Sequence, residues 1–150
     1  MTAEENKAVV RRIYDELWNG RNLAVADEVI LEEGYVNYDT GLVPVPSSPE
    51  DIKQTVRAIS ATFPDNHHEV DEVIAEGDTV VARCTLTATH EGDFMGIPPT
   101  GRRIEVNEIH IYRLRDGMVA EHRVGRDDLG AMRQLGVVAD AVPAPSRAGE

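Results

Sequence analysis

The order of its hydrophobic periods places this chain in the α+β class: helical spacing prevails as far as Pro64, and a period of two takes over beyond it. A third observation is the segment Gly92-Asp93-Phe94-Met95-Gly96-Ile97-Pro98-Pro99-Thr100-Gly101, a stiff connection between two strand-like runs. Its prolines, glycines and apolar side chains are not those of a plain polar turn, and such loops are more often built for a job. Helices first and a meander afterwards predict one curved antiparallel sheet wrapped around the N-terminal helices, a conical α+β barrel with a central cavity.

Thr2 and Glu5 form a capping-box pattern, and Val9, Ile13 and Leu17 recur at helical spacing, so residues 3–18 are expected to form an amphipathic helix that Asn19-Gly20 ends. Asn22 can cap a shorter helix carrying Leu23, Ala26 and Ile30, and residues 33–39 read as a short extended piece. Residues 40–48, rich in proline and glycine, are a candidate lid. Ser48 as N-cap, Pro49 at the first helical position and Glu50-Asp51 in the first turn start another helix. Its stripe is Ile52, Val56, Ile59 and Phe63, and Pro64 terminates it. Candidate strands follow at residues 69–75, 79–90, 102–114 and 118–125. Asp127 or Asp128 can cap a last helix bearing Leu129, Met132 and Leu135, closed by Gly136. Residues 1–138 are thus read as a single domain, and residues 139–150, full of alanine and proline, as a disordered tail.

The 150 residues suffice for one real core, and 41% hydrophobic residues is ordinary for a globular chain. A formal charge of -12 would repel nucleic acid and anionic membrane, which leaves a small neutral or cationic molecule as the expected partner. No stretch reaches the roughly 20 apolar residues of a membrane span, so a soluble, cytoplasmic protein is expected. Cys84 is the only cysteine, which excludes an internal disulfide and a thiolate metal cluster within one chain. Its place in a strand-like run marks a small buried side chain.

Alternation along residues 102–114 puts Val106, Glu108, His110 and Tyr112 on one face and Asn107, Ile109, Ile111 and Arg113 on the other. Both faces are partly apolar, so the inner one is expected to line a cavity and the outer one to meet a second copy in a homodimer. If Arg115-Asp116-Gly117 is a three-residue hairpin loop, His110 lies opposite His122, Glu108 opposite Val124 and Tyr112 opposite Ala120. A two-residue Asp116-Gly117 turn would instead set Arg123 opposite His110. The first register gathers Met118, Ala120, His122 and Val124 on the inner face and is the one expected. A carboxylate beside a histidine can fix its tautomer and raise its basicity, which equips Glu108, His110 and His122 for proton transfer. Asn37 could orient a substrate carbonyl, Asp39 could supply a second carboxylate, and His90 could donate into the pocket. Tyr14, Trp18, Phe94 and Met95 are candidates for gripping a ring system, while His67-His68, in a polar turn, read as solvated. No spacing motif supports a metal or nucleotide site.

The 92–101 loop, the strand holding His110, the Arg115-Asp116-Gly117 turn, Glu121-His122-Arg123 and Leu129-Gly130-Ala131-Met132-Arg133-Gln134-Leu135-Gly136 together resemble the SnoaL-like polyketide cyclases, or ester cyclases, of the nuclear-transport-factor-two-like superfamily. The N-terminal helix and Tyr35-Val36-Asn37 extend the likeness. The resemblance implies the conical fold and a cofactor-independent intramolecular aldol closure of an apolar, polyketide-like ester by general acid/base catalysis. His110, Asn37, His90, His122 and Arg123 fall on family-like positions, but the family's acid/base aspartate falls on Val124, and Asp127 matches a second family aspartate. Valine cannot transfer a proton, and Glu108 is the expected substitute base. Two other readings stay open. One is epoxide opening with Glu108, Asp39, Tyr38 and Arg123; the other, favoured by Val124, is a non-catalytic binding module for an apolar small molecule.

Overall fold

The computed structural model describes residues 1–40 and 44–139. Residues 41–43, within the candidate lid, and 140–150, nearly all of the expected tail, lie outside them. Helix α1, Ala3–Arg12, starts at the expected capping box: the Thr2 hydroxyl accepts from the Glu5 backbone N–H at 3.1 Å, and the Glu5 carboxylate accepts from the Thr2 N–H at 2.7 Å. The single helix expected to residue 18 changes its winding at Ile13, and Ile13–Asn19 is π-helical, a form frequent at functional sites. Helix α2, Val25–Val29, is not capped by the Asn22 side chain; the Asn22 carbonyl instead accepts from the Val25 N–H. Of the extended piece at 33–39 only β1, Val36–Asn37, pairs in the sheet.

Helix α3, Pro49–Thr62, is capped by the Ser48 hydroxyl, and α4, Asp128–Leu135, by the Asp127 carboxylate, with Gly136 left-handed at its end. The long strands are β2, His67–Glu76, β3, Thr79–Thr89, β4, Arg103–Arg115, and β5, Met118–Arg126. The sheet order is β1-β5-β4-β3-β2. The class is the expected α+β, with two differences: β1 runs parallel to β5, so the sheet is mixed, and it does not close. One core cluster joins Val10, Leu17, Val25, Val29 and Val56 to Val80, Ala82, Tyr112 and Val119; a second gathers Phe63, Ala88, Ile104, Val106 and Leu135. Cys84 is buried, as expected. Among the described residues no helix is long and apolar enough to cross a membrane.

Along β4 burial alternates strictly, so Ile104, Val106, Glu108, His110, Tyr112 and Leu114 all face inward. The β4–β5 register corrects the expected one. Asp116 and Gly117, both at positive φ, make a two-residue turn that pairs Arg115 with Met118 and Leu114 with Val119. Ala120 then bulges, and the pairs become Tyr112 with His122, His110 with Val124 and Glu108 with Arg126. Without that extra residue, Glu121 and Arg123 would take the inward places; with it, His122 and Arg126 do.

The 92–101 loop is anchored on the end of α3. The Thr62 carbonyl accepts from the Glu91 and Gly92 N–H groups, and the Thr62 hydroxyl donates to the Asp93 carbonyl at 3.0 Å. The approach is so close that a Cβ at Gly92 would lie 2.6 Å from the Ala61 carbonyl oxygen and 2.9 Å from the Thr62 Cα. Phe94 is thereby laid against Phe63, ring centroids 5.4 Å apart. Gly92→Ala should therefore destabilise the protein by about 1–3 kcal/mol, the range for overpacking. Urea denaturation measures this, and an unshifted midpoint would contradict so tight a contact.

Candidate active site

Between the helices and the inner sheet face lies a cavity of about 210 Å³. Of the residues read as its wall, Glu108, His110, His122, Asn37, Tyr14, Trp18, Phe94 and Tyr112 do line it. His90, Met95 and Val124 are absent from its described lining. Met95 is 60% exposed at a positive φ, with its side chain in solvent. His90 is fully buried beside Phe63 and Phe94, and its Nδ1 accepts from the Thr100 N–H at 3.2 Å. Val124 is half-buried on β5 opposite His110, not opposite Glu108.

The polar groups form one line. His110 Nε2 is 2.9 Å from Glu108 Oε1, and His110 Nδ1 is 2.9 Å from His122 Nε2. His122 Nδ1 is 3.1 Å from Asn37 Oδ1, which also accepts the Asp39 backbone N–H at 2.9 Å. Three β4 and β5 side chains can form this line because alternate residues share a face and the Ala120 bulge turns His122 to that face. Asn37 joins them because β1 pairs it with His122. Tyr14, from the π-helical segment, packs its ring edge-on to His110 and hydrogen-bonds Tyr112 hydroxyl to hydroxyl at 2.6 Å.

Two members of the site were not read from the sequence. His68, expected in a solvated turn, is 7% exposed, lines the cavity and sets its Nε2 3.6 Å from the same Glu108 oxygen. It is held there by Asn19, whose side chain donates to the His68 carbonyl and accepts from its N–H, each at 2.8 Å. The signal was available: β2 begins at His67, so alternation carries His68 inward together with Val70. Arg126 was missed because β5 runs one residue beyond the expected 125. Its guanidinium lines the cavity, bonds both oxygens of Asp39 at 2.8 Å and bonds Asp128 at 3.0 Å. Asp39 is thus part of an ion pair. Tyr38 and Arg123, named for epoxide opening, lie outside the cavity's described lining; the Arg123 guanidinium covers the Tyr38 ring at 4.0 Å. Among the described residues no group of three or more His, Cys, Asp or Glu is arranged to hold a metal.

Burial governs the electrostatics. It pulls His122 down to about 3, with His110 adding to the effect, and His68 down to about 4 against the pull of Glu108. Burial pushes the Glu108 carboxyl up, but the His110 hydrogen bond and the charges of His110, His68 and Arg126 outweigh it, and its pKa falls below the ordinary value. Burial also raises Tyr14 and Tyr112 far above the usual phenol and Cys84 to about 12, which keeps that thiol protonated at neutral pH.

The sequence matches the SnoaL-like polyketide cyclase family over residues 8–135. The chain belongs to that family. Family members similar to it include the aklanonic acid methyl ester cyclase DnrD of Streptomyces peucetius, 34% identical over 132 residues, covering 85% of this chain and 88% of the relative. The nogalonic acid methyl ester cyclase of Streptomyces nogalater is 34% identical over 103 residues, covering 68% of this chain and 77% of the relative. Among solved structures, TsrD from Streptomyces laurentii superposes with a TM-score of 0.80 at 26% identity, covering 92% of this chain and 99% of that one.

The two depressed histidines give the stability a sign. Each is neutral when folded and protonates when unfolded below its ordinary value of 6.5, so its contribution is full above 6.5 and is lost as pH falls toward about 4 for His68 and about 3 for His122. The slope should approach about 1.4 kcal/mol per pH unit for each histidine inside its window. Urea titrations between these pH values should show it, with His68→Gln giving a shallower acid limb than the native protein.

Proposed function

We propose that this protein is an ester cyclase that closes a ring in an apolar polyketide ester by intramolecular aldol addition, with Glu108 and His110 as its acid/base pair. The observation that carries the reading is the 2.9 Å contact of Glu108 with His110 inside a largely apolar cavity. The methyl ester cyclases to which the chain is similar supply the substrate class. In the reaction, Glu108 takes a proton from an acidic carbon. The electron pair left behind forms the new C–C bond to a ketone carbon, the displaced π pair moves to the ketone oxygen, and that oxygen recovers the proton. Oxidation state is unchanged, so the chemistry needs no redox cofactor. Tyr14, Trp18, Phe94 and Tyr112 give the flat substrate aromatic walls.

The test is turnover of aklanonic acid methyl ester by protein treated with a chelator, read as an isobaric, ring-closed product. Glu108→Gln should lower kcat by about 10²- to 10⁴-fold with KM little changed. Undiminished turnover in that variant removes Glu108 from the reaction, and saturable binding without turnover in the native protein supports the binding-module reading instead.

The outer sheet face favours a homodimer. Ile74, Ile109 and Ile111 are 55%, 50% and 39% exposed there, and a second copy would cover them. Light scattering should give the mass of two chains, falling to one in Ile109→Glu; a monomeric native protein overturns the assignment.

A further inference from the structure

Asn37 enters the site with its amide already oriented. Its Oδ1 accepts the Asp39 backbone N–H at 2.9 Å. Flipping the amide would set Nδ2 against that N–H, donor against donor. The same Oδ1 faces His122 Nδ1 at 3.1 Å, and a carbonyl oxygen can only accept. His122 must therefore carry a proton on Nδ1. If it is neutral, its Nε2 is a lone pair, and His110, 2.9 Å away, must donate from Nδ1. One proton then remains, between His110 Nε2 and Glu108 Oε1.

We propose that Asn37 is a positioning residue that fixes the direction of every hydrogen bond in this line, holding His122 as its Nδ1–H tautomer and thereby confining the mobile proton to the His110–Glu108 contact. Asn37 is then not the group that orients the substrate carbonyl, because its oxygen is committed to His122 and to the Asp39 N–H.

The competing arrangement has the same number of protons but puts the positive charge on His122, with His110 donating only to Glu108. That moves the cation one ring farther from the carboxylate and beside Arg126, and burial opposes it. Losing the shared proton altogether would leave the His110 Nε2 lone pair against a carboxylate oxygen. The only relief would be a tautomer shift in both rings, which the Asn37 carbonyl blocks.

The catalytic consequence rests on the acid/base reading above; the tautomers themselves do not. Long-range 1H–15N correlation spectra of protein with 15N-labelled histidine report the protonation of each ring nitrogen without substrate. The native spectrum should show His122 protonated on Nδ1 alone and His110 protonated on Nδ1. Asn37→Leu should release His122 to the Nε2–H form and lower kcat by roughly 10- to 100-fold at nearly constant KM, by analogy with the loss of the partner that orients a metal-bound histidine. Asn37→Asp, which keeps an accepting oxygen in place, should retain Nδ1–H and recover most of the rate. A native His122 protonated on Nε2, or an Asn37→Leu spectrum identical to the native one, overturns the proposal. The native spectrum decides this even if the leucine variant does not fold. Native tautomers as described in a protein that fails to cyclise the ester would overturn the cyclase reading and support the Asn37 assignment.

Discussion

A carboxylate set into an apolar wall must find positive partners or take up a proton, because desolvation of the bare ion is not recovered from packing. Glu108, only 4% exposed on the inner face of β4, meets this demand with the His110 hydrogen bond at 2.9 Å and with the Arg126 guanidinium across the strand pair, while the neutral His68 ring packs 3.6 Å from the same oxygen. Each partner is secured in turn. His110 leans on His122, His122 on Asn37, His68 on Asn19, and Arg126 on Asp39 and Asp128. Most of the polar groups lining the cavity thus belong to one network around this charge, and the rest of the lining, Thr55 and Asn66 aside, is hydrophobic or aromatic.

The scaffold gives this arrangement its precision. Positions 108, 110 and 112 sit on one strand at the pleat's spacing, so their separations hardly vary with the surroundings. What joins them to β5 and β1 is less regular: a bulge at Ala120, a parallel pairing of only two residues, and an asparagine at the end of a π-helical turn. Bulges and π-turns recur where a side chain must be re-aimed. Here they direct His122 and Tyr14 at the same imidazole.

The class, the long strands, helix α3 with its Ser48–Pro49 start, and the inward set of β4 were legible in the sequence because each rests on a local pattern: a cap, a stripe, an alternation. The β4–β5 register was not, since it depends on a turn of two residues followed by an inserted one, and Ala120 carries no local mark of a bulge. The inward set on β5 was nevertheless read correctly past residue 120, because an assumed loop one residue longer has the same effect on parity as a bulge. His68 and Arg126 were lost at strand ends, where one or two residues of extra pairing decide between wall and solvent. Met95 and His90 show the converse: residue type invited a role, while the backbone of the 92–101 loop turned Met95 into water and the end of β3 set His90 into packing beside Phe63 and Phe94.

His110 pairs directly with Val124 on the neighbouring strand and hydrogen-bonds Glu108 on its own. Directly opposite residues on adjacent strands hold their Cβ atoms about 4.5–5.5 Å apart, and residues two apart on one strand also share a face. An imidazole at position 110 can thus be served by a carboxylate from its own strand, as it is here, or from the strand beside it. The strand geometry offers two positions, 108 and 124, from which one negative charge could meet the imidazole at 110.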